Sequence, residues 1–297
     1  MDCKELLRGA YDLHVHSGPD ILPRKMDDIA MAERIRASGM AGYAIKNHFF
    51  CTAERAELLH ELYPDVDYVG TLTLNSAVGG VNPTAVEMAA RAGARLIWFP
   101  TCDNAHERAH TFSGKPGVKL PFWAKIVLEL KDAGIESPTV ECLNADGTLK
   151  QNVLDTLDVI AKHDLILATG HLSHEEAFAV VPEAAKRGVK HIVITHATFP
   201  TTFYTADEQQ RFIACGAKIE HCHTTWSTGK CAWETVVAQL RAVGAENVIL
   251  GTDLGQPNAL YPDEGMLDWA ERLRAEGFSD AELHTMLVDN PRALLGL

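Results

Sequence analysis

The chain lacks several features that would mark out whole classes of protein. It has no run of about 18 consecutive apolar residues, the length a membrane-spanning helix needs. No apolar run follows Met1-Asp2-Cys3-Lys4-Glu5, so no signal peptide is expected. No basic cluster stands out against a formal net charge of −13, which argues against a nucleic-acid partner. The 7 cysteines (Cys3, Cys51, Cys102, Cys142, Cys215, Cys222, Cys231) are odd in number and scattered, without Cys-x-x-Cys. That pattern suits reduced thiols in a cytoplasm better than a disulfide framework. There is no internal repeat and no low-complexity segment.

A strand–loop–helix rhythm runs through the 297 residues, enough chain to bury a substantial core. Apolar, β-branched runs bounded by turn residues predict strands at 11–16, 42–48, 67–74, 95–100, 165–169, 191–195, 217–222 and 247–251. Leu96-Ile97-Trp98-Phe99 is apolar throughout, as suits a strand buried on both faces of a parallel sheet. Helix starts are marked by Asn82-Pro83 and by the capping boxes opening at Ser173, Thr205 and Ser279. Only 101–147 breaks the rhythm. This stretch holds His106, His110, Ser113-Gly114-Lys115-Pro116-Gly117, a predicted helix near 122–133 and an excursion at 139–147, and it is expected to wall or cover a pocket. Eight alternating strands and helices fit a (β/α)8 TIM-type barrel with an insertion after strand 4, one domain spanning 1–297. An open doubly wound sheet is the competing architecture, but no Gly-x-Gly-x-x-Gly follows the first strand.

Barrel enzymes carry their chemistry at the C-terminal ends of the strands. In strand geometry His14 and His16 share a face, and Tyr11, Leu13 and Val15 take the other. The later strands end in Lys46 and His48, in Thr101, Cys102 and Asp103, in His171, in His196, in Glu220 with His221, and in Asp253. Chance would scatter 14 histidines evenly; here ligand types gather at the barrel mouth while the strands stay apolar. Imidazoles with a carboxylate suit a divalent cation, Zn²⁺ first, with Mn²⁺, Fe²⁺ or Ni²⁺ as alternatives. Asp253 could ligate that ion and also take the proton of an attacking water.

The motif order resembles the amidohydrolase superfamily: His14-Val15-His16 after strand one, His171 and His196 after strands five and six, Asp253 after strand eight, and a closing Asp289-Asn290-Pro291-Arg292 segment. Asp-Leu-His-Val-His-Ser-Gly-Pro-Asp (12–20), Ala-Thr-Gly-His-Leu-Ser (168–173) and Thr-Asp-Leu-Gly-Gln (252–256) are similar to a little-characterised prokaryotic branch. The resemblance implies a metal-dependent hydrolase using a metal-activated water on an amide, cyclic amide, lactone or related small molecule. It implies His14, His16, His171 and Asp253 as ligands, with His196 completing the shell or polarising the substrate. Two-metal members bridge their ions with a Lys or Glu after strand four, and Phe99-Pro100-Thr101-Cys102-Asp103 has neither, so one ion is expected rather than two. Lys46, His48, Glu220 and, less well, Asp103 are candidates for outer contacts or a second ion. Lys46 could equally serve only as an ion-pair partner of Glu220. His221, His223 and Cys222 read as structural. Arg24 is a candidate for binding a substrate carboxylate.

Competing readings are a one-metal decarboxylase of an unsaturated or aromatic acid, a phosphoesterase and a non-catalytic metal-binding barrel. The expected partner is a small molecule; homo-oligomerisation is open, since such barrels often associate.

Overall fold

The computed structural model describes residues 2–114 and 120–297. Lys115, Pro116 and Gly117, part of the predicted insertion loop, lie outside the described residues. Eight strands form a parallel sheet in sequence order: β1 (Tyr11–Val15), β2 (Gly42–Ile45), β3 (Asp67–Thr73), β4 (Ala94–Trp98), β5 (Ile166–Ala168), β6 (His191–Ile194), β7 (Ala217–Cys222) and β8 (Val248–Gly251). The sheet closes on itself. The His16 amide donates to the Leu254 carbonyl at 2.8 Å, and the Asp253 amide donates to the His14 carbonyl at 2.8 Å. With helices between the strands, this is a (β/α)8 barrel.

Strand side chains alternate between two apolar layers. Ala44, Val69, Leu96, Trp98, Ile166, Ala168, Val193 and Ile249 fill the barrel interior. Leu294, from the closing helix Asn290–Leu294, packs against that interior layer. Ile45, Ile97, Leu167, Ile192, Ile194 and Leu250 instead pack outward against the helices. β1 departs from the expected alternation. Tyr11 and Leu13 belong to the interior layer, while Val15 packs outward. The β1–β2 register shifts between Asp12 and Val15, and that irregularity lets His14 and His16 both reach the barrel mouth above an apolar interior. Asp12 is fully buried and accepts the amides of His14 and Thr252, each at 3.1 Å, so it clasps β1 to β8. Burial raises its carboxyl to about 7.

The predicted capping boxes at Ser173, Thr205 and Ser279 are all formed. Asn82 accepts the amides of Thr84 and Ala85 with Pro83 in the first turn. The insertion supplies helices Ala105–Thr111 and Phe122–Asp132. Its 139–147 stretch makes only isolated bridges, Asn104 to Val140 and Leu143 to Leu149. Trp123 and Ala124 pack on Leu22, Phe49 and Cys102, which docks the insertion over the loops after β1, β2 and β4. A short helix, His223–Ser227, follows β7 directly and was not expected from the sequence.

Candidate metal centre

His14 lies at the end of β1 between two opposite charges. Its Nδ1 is 3.1 and 3.2 Å from the two carboxylate oxygens of Glu220, and its Nε2 is 2.7 Å from the Lys46 ammonium. A carboxylate can only accept, so Nδ1 carries the proton and Nε2 presents a lone pair. Lys46 and Glu220 therefore meet through His14 rather than as a direct ion pair. Lys46 is wholly buried and faces Trp98, its Nζ 4.9 Å from the ring centre. Burial lowers its pKa against the pull of Asp253 and Glu220. Burial would raise the Glu220 carboxyl, but His14, Lys46 and the His196 amide hold it below the usual range.

His16 is fixed in the same tautomer. Its Nδ1 lies 3.1 Å from the Lys46 carbonyl, which can only accept. The bare Nε2 then faces Asp253 Oδ1 at 3.0 Å. Burial, with Arg24 adding, pushes the His16 pKa down to about 3 against the pull of Asp253, and so favours the neutral ring. His14 Nε2 is 3.3 Å from the same Asp253 oxygen. Asp253 is partly buried, and its carboxyl is held well below the usual range by His14, the His16 contact and His196. Its other oxygen accepts the Thr224 hydroxyl at 2.9 Å.

Two of these side chains sit on left-handed backbone. His196 has φ +54° and Asp253 φ +53°, a conformation that costs a non-glycine residue about 1 kcal/mol or more. The His196 amide is held by Glu220 Oε2 at 3.2 Å, and the Asp253 amide by the His14 carbonyl. Both turns lie where a strand ends and the chain must aim a side chain over the barrel mouth.

The predicted site residues come together unequally. His14, His16 and Asp253 bring one ligand atom each within 4.8 Å of one another, and so do His14, His196, Glu220 and Cys222. The Cys222 thiol is pushed well up by burial and by Glu220 and Asp253, which disfavours a thiolate. His171 belongs to neither group; its ring lies 5.3 Å from that of His196. Both its nitrogens are buried without a hydrogen bond, although Nδ1 lies 3.3 Å from Glu107 Oε2. His48 stacks on His16 at 5.2 Å and pairs with Thr101 Oγ1 at 2.9 Å. Asp103 turns away, accepting the Ser76 amide at 2.8 Å and pairing with Arg108, so it does not replace the missing bridge after β4.

The donor set fits a cation. Nε2 of His14 and of His16 are both lone pairs, and both point at a carboxylate oxygen. Acceptors 3.0 Å apart repel unless positive charge lies between or beside them. The Lys46 ammonium already supplies it on one side, at His14 Nε2. Glu220 and the Lys46 carbonyl provide the outer contacts that orient a metal-binding imidazole.

A cavity of about 730 Å³ opens over these groups. It reaches His16, Lys46, His48, His171, His196 and Asp253, with Arg24 at one side. Phe199, Trp226, Leu22, Phe122 and Trp123 form apolar walls, the last two from the insertion. Of the other aromatic residues near these loops, Tyr204 is instead buried against Phe178 and Phe212, and Phe203 is not part of the wall. Sequence reasoning did not single out several polar wall residues, among them Glu107, Thr224 and His223. Glu107 comes from the insertion, whose placement no strand rhythm predicts. Thr224 and His223 start the unexpected helix after β7. His223 Nε2 lies 2.9 Å from Asp268 Oδ2 and its Nδ1 is unpartnered. The only available signal was position: they follow directly on a strand end that already carries Glu220.

Residues 9–220 match a family described as a family of unknown function (DUF6282), and the chain belongs to that family. No curated protein sequence matches it. Among solved structures it resembles an amidohydrolase from Pseudomonas aeruginosa, with TM-score 0.67 and 10% identity over 99% of this chain and 98% of that one. The probable dipeptidase PvdM from the same organism aligns with TM-score 0.64 and 12% identity over 99% and 96%. A putative 2-pyrone-4,6-dicarboxylic acid hydrolase from Pseudomonas putida aligns with TM-score 0.58 and 16% identity over 97% of each chain. At these identities the likeness is one of fold: the barrel is of the kind that amidohydrolases use.

Proposed function

We propose that the protein is a metal-dependent hydrolase acting on an amide, cyclic amide, lactone or related small molecule. The observation that carries this reading is the convergence of His14 Nε2 and His16 Nε2 on Asp253 Oδ1, at 3.3 and 3.0 Å, with the Nδ1 atom of each ring turned to an acceptor. In this reading His14, His16 and Asp253 would hold one divalent ion, Zn²⁺ first, with His196 and His171 beside it. Such an ion supplies Lewis acidity and lowers the pKa of a water toward about 7. Asp253 takes the proton of the attacking water and returns it to the leaving group, its second oxygen kept in place by Thr224. His196, whose pKa burial, His14, Lys46 and His171 push well below its usual value, stays neutral and borders the substrate carbonyl. Phe199 packs on the His171 and His196 rings and sheds water from the reacting side of the cavity.

The test is metal content by elemental mass spectrometry on protein purified without chelators, for wild type and for His14→Ala/His16→Ala. One equivalent, lost in the double variant, is expected. Two equivalents would require a second ion, with Glu220, Lys46 and His48 as its candidate ligands. No metal in the wild type, even after reconstitution, would overturn the reading. Asp253→Asn is expected to lower turnover by about 10²–10⁴-fold with the fold intact. Release of carbon dioxide, in place of a hydrolysis product, would move the assignment to decarboxylation.

A further inference from the structure

Arg24 is a charged residue of the cavity wall that the reaction scheme leaves without a task. It lies in the loop after β1, and its side chain is only 6% exposed. Its Nε donates to Asp20 Oδ2 at 2.7 Å, and Asp20 is itself wholly buried. That contact sets the plane of the guanidinium. Nη2 is buried and has no hydrogen-bond partner. A buried, unpaired N–H on a charged group is costly, and proteins rarely leave one without a use. The same guanidinium borders the cavity with His16, His48 and Asp253. Its charge reaches both His16 and His48.

We propose that Arg24 receives a carboxylate of the substrate, which makes this site selective for carboxylate-bearing amides or lactones; the inference rests on the hydrolase reading above. With Nε committed to Asp20, Nη2 is the unpartnered donor, and a small shift of the guanidinium toward the cavity would offer its Nη1/Nη2 edge to a carboxylate, which matches such a fork with two parallel hydrogen bonds. Asp20 already offsets the charge of Arg24, and around the cavity Lys46, Lys230 and Arg272 are balanced by Glu107, Asp253 and Asp268, so the wall carries no surplus positive charge. A single-charge acceptor therefore fits better than a doubly charged phosphate. Leu22 and Trp123, packed together beside this loop, provide an apolar surface for the body of the same ligand. The substrate is thus held at three points: its carboxylate at Arg24, its apolar body on Leu22 and Trp123, and its reacting carbonyl near His196 and Asp253.

The experiment compares phenylacetate with its neutral counterpart phenylacetamide by titration calorimetry. The full-length protein is used as purified, as wild type, Arg24→Lys and Arg24→Met, with metal content measured on every sample. Wild type is expected to bind phenylacetate at least about tenfold more tightly than phenylacetamide, as befits a charge-assisted pair. Arg24→Met is expected to bring the two within about threefold, and Arg24→Lys to fall between, with metal content unchanged in both. If Arg24→Met fails to fold by circular dichroism, Arg24→Lys alone decides, by weakening phenylacetate and sparing phenylacetamide. The proposal is overturned if wild type shows no preference, if Arg24→Met keeps it, or if phenyl phosphate binds more tightly than phenylacetate in an Arg24-dependent way. Absence of metal from all samples would sink the hydrolase reading and leave the carboxylate preference to be judged on the titrations alone.

Discussion

Replacing Glu220 with glutamine probes the metal centre without touching an atom that would bind the ion. Glu220 is 1% exposed, and its carboxylate accepts the His14 ring N–H and the His196 amide. Glutamine keeps the size, and its carbonyl oxygen can still accept the His196 amide. Its NH₂ group then replaces the oxygen 3.1 Å from His14 Nδ1, so the ring N–H keeps only the carbonyl oxygen at 3.2 Å, a neutral acceptor it shares with the His196 amide. The weaker hold also makes it easier for His14 to move its proton to Nε2, the atom that must be bare to bind a cation and that already faces the Lys46 ammonium at 2.7 Å. Loss of such an outer contact typically weakens metal binding by about 10- to 100-fold, or about 1.4–2.7 kcal/mol. Glutamine removes the charge and one of the two oxygens facing His14 and keeps the other, so the expected loss lies at the low end of that range. The assay is competition for Zn²⁺ against a chromophoric chelator at pH 7.5, with the thermal midpoint of the metal-free protein as a control for folding. An affinity within twofold of wild type, in a folded variant, would refute the claim that Glu220 sets the tautomer of His14. Glu220→Asp, which keeps the charge and shortens the reach, is expected to retain more affinity than Glu220→Gln.

Other substitutions test the scaffold beneath the site. A Cβ at Gly255 would lie 1.8 Å from the His16 carbonyl oxygen on backbone with φ +130°, so Gly255→Ala is expected to destabilise by roughly 3 kcal/mol or more and to displace His16; urea unfolding with a near-wild-type midpoint would contradict this. Trp98 is 1% exposed under the ring of His14, their centres 5.3 Å apart, so Trp98→Ala is expected to cost about 3–5 kcal/mol in the same assay. Glu107→Ala leaves His171 without its neighbouring carboxylate and is expected to reduce turnover while sparing the unfolding midpoint by comparison with Trp98→Ala; unchanged turnover would show that His171 needs no such partner.

The barrel was readable because parallel strands buried on both faces leave a strong apolar signature, and closure brings every strand end to one rim. His14, His16, His196 and Asp253 stand out for that reason, since each follows the end of an apolar run, and the structure brings them to one rim. What position alone could not supply was direction. The β1 irregularity that aims both histidines upward breaks the simple alternation that had set Tyr11 and Leu13 on the opposite face. Asp103 stands at a strand end like the others, but its short side chain is taken by Ser76 and Arg108 and never reaches the centre. Lys46 and Glu220 were seen as a potential pair, yet a ring inserted between them turns that pair into a relay through His14. Glu107 and His223 enter the wall from an insertion and a single helical turn, segments whose course depends on tertiary packing rather than local pattern.

The left-handed backbone at His196 and Asp253 sets the interests of the fold against those of the site. Glycine at either position would relieve the backbone, by about 1 kcal/mol each, while deleting a side chain at the centre of the cavity. A library of this protein selected for heat resistance alone should therefore accumulate glycine or asparagine at 196 and 253, whereas one selected for turnover should keep the imidazole and the carboxylate and accept a lower melting point. The two outcomes diverge at the same two codons, so sequencing survivors from both selections would separate what this barrel needs in order to stand from what it needs in order to act.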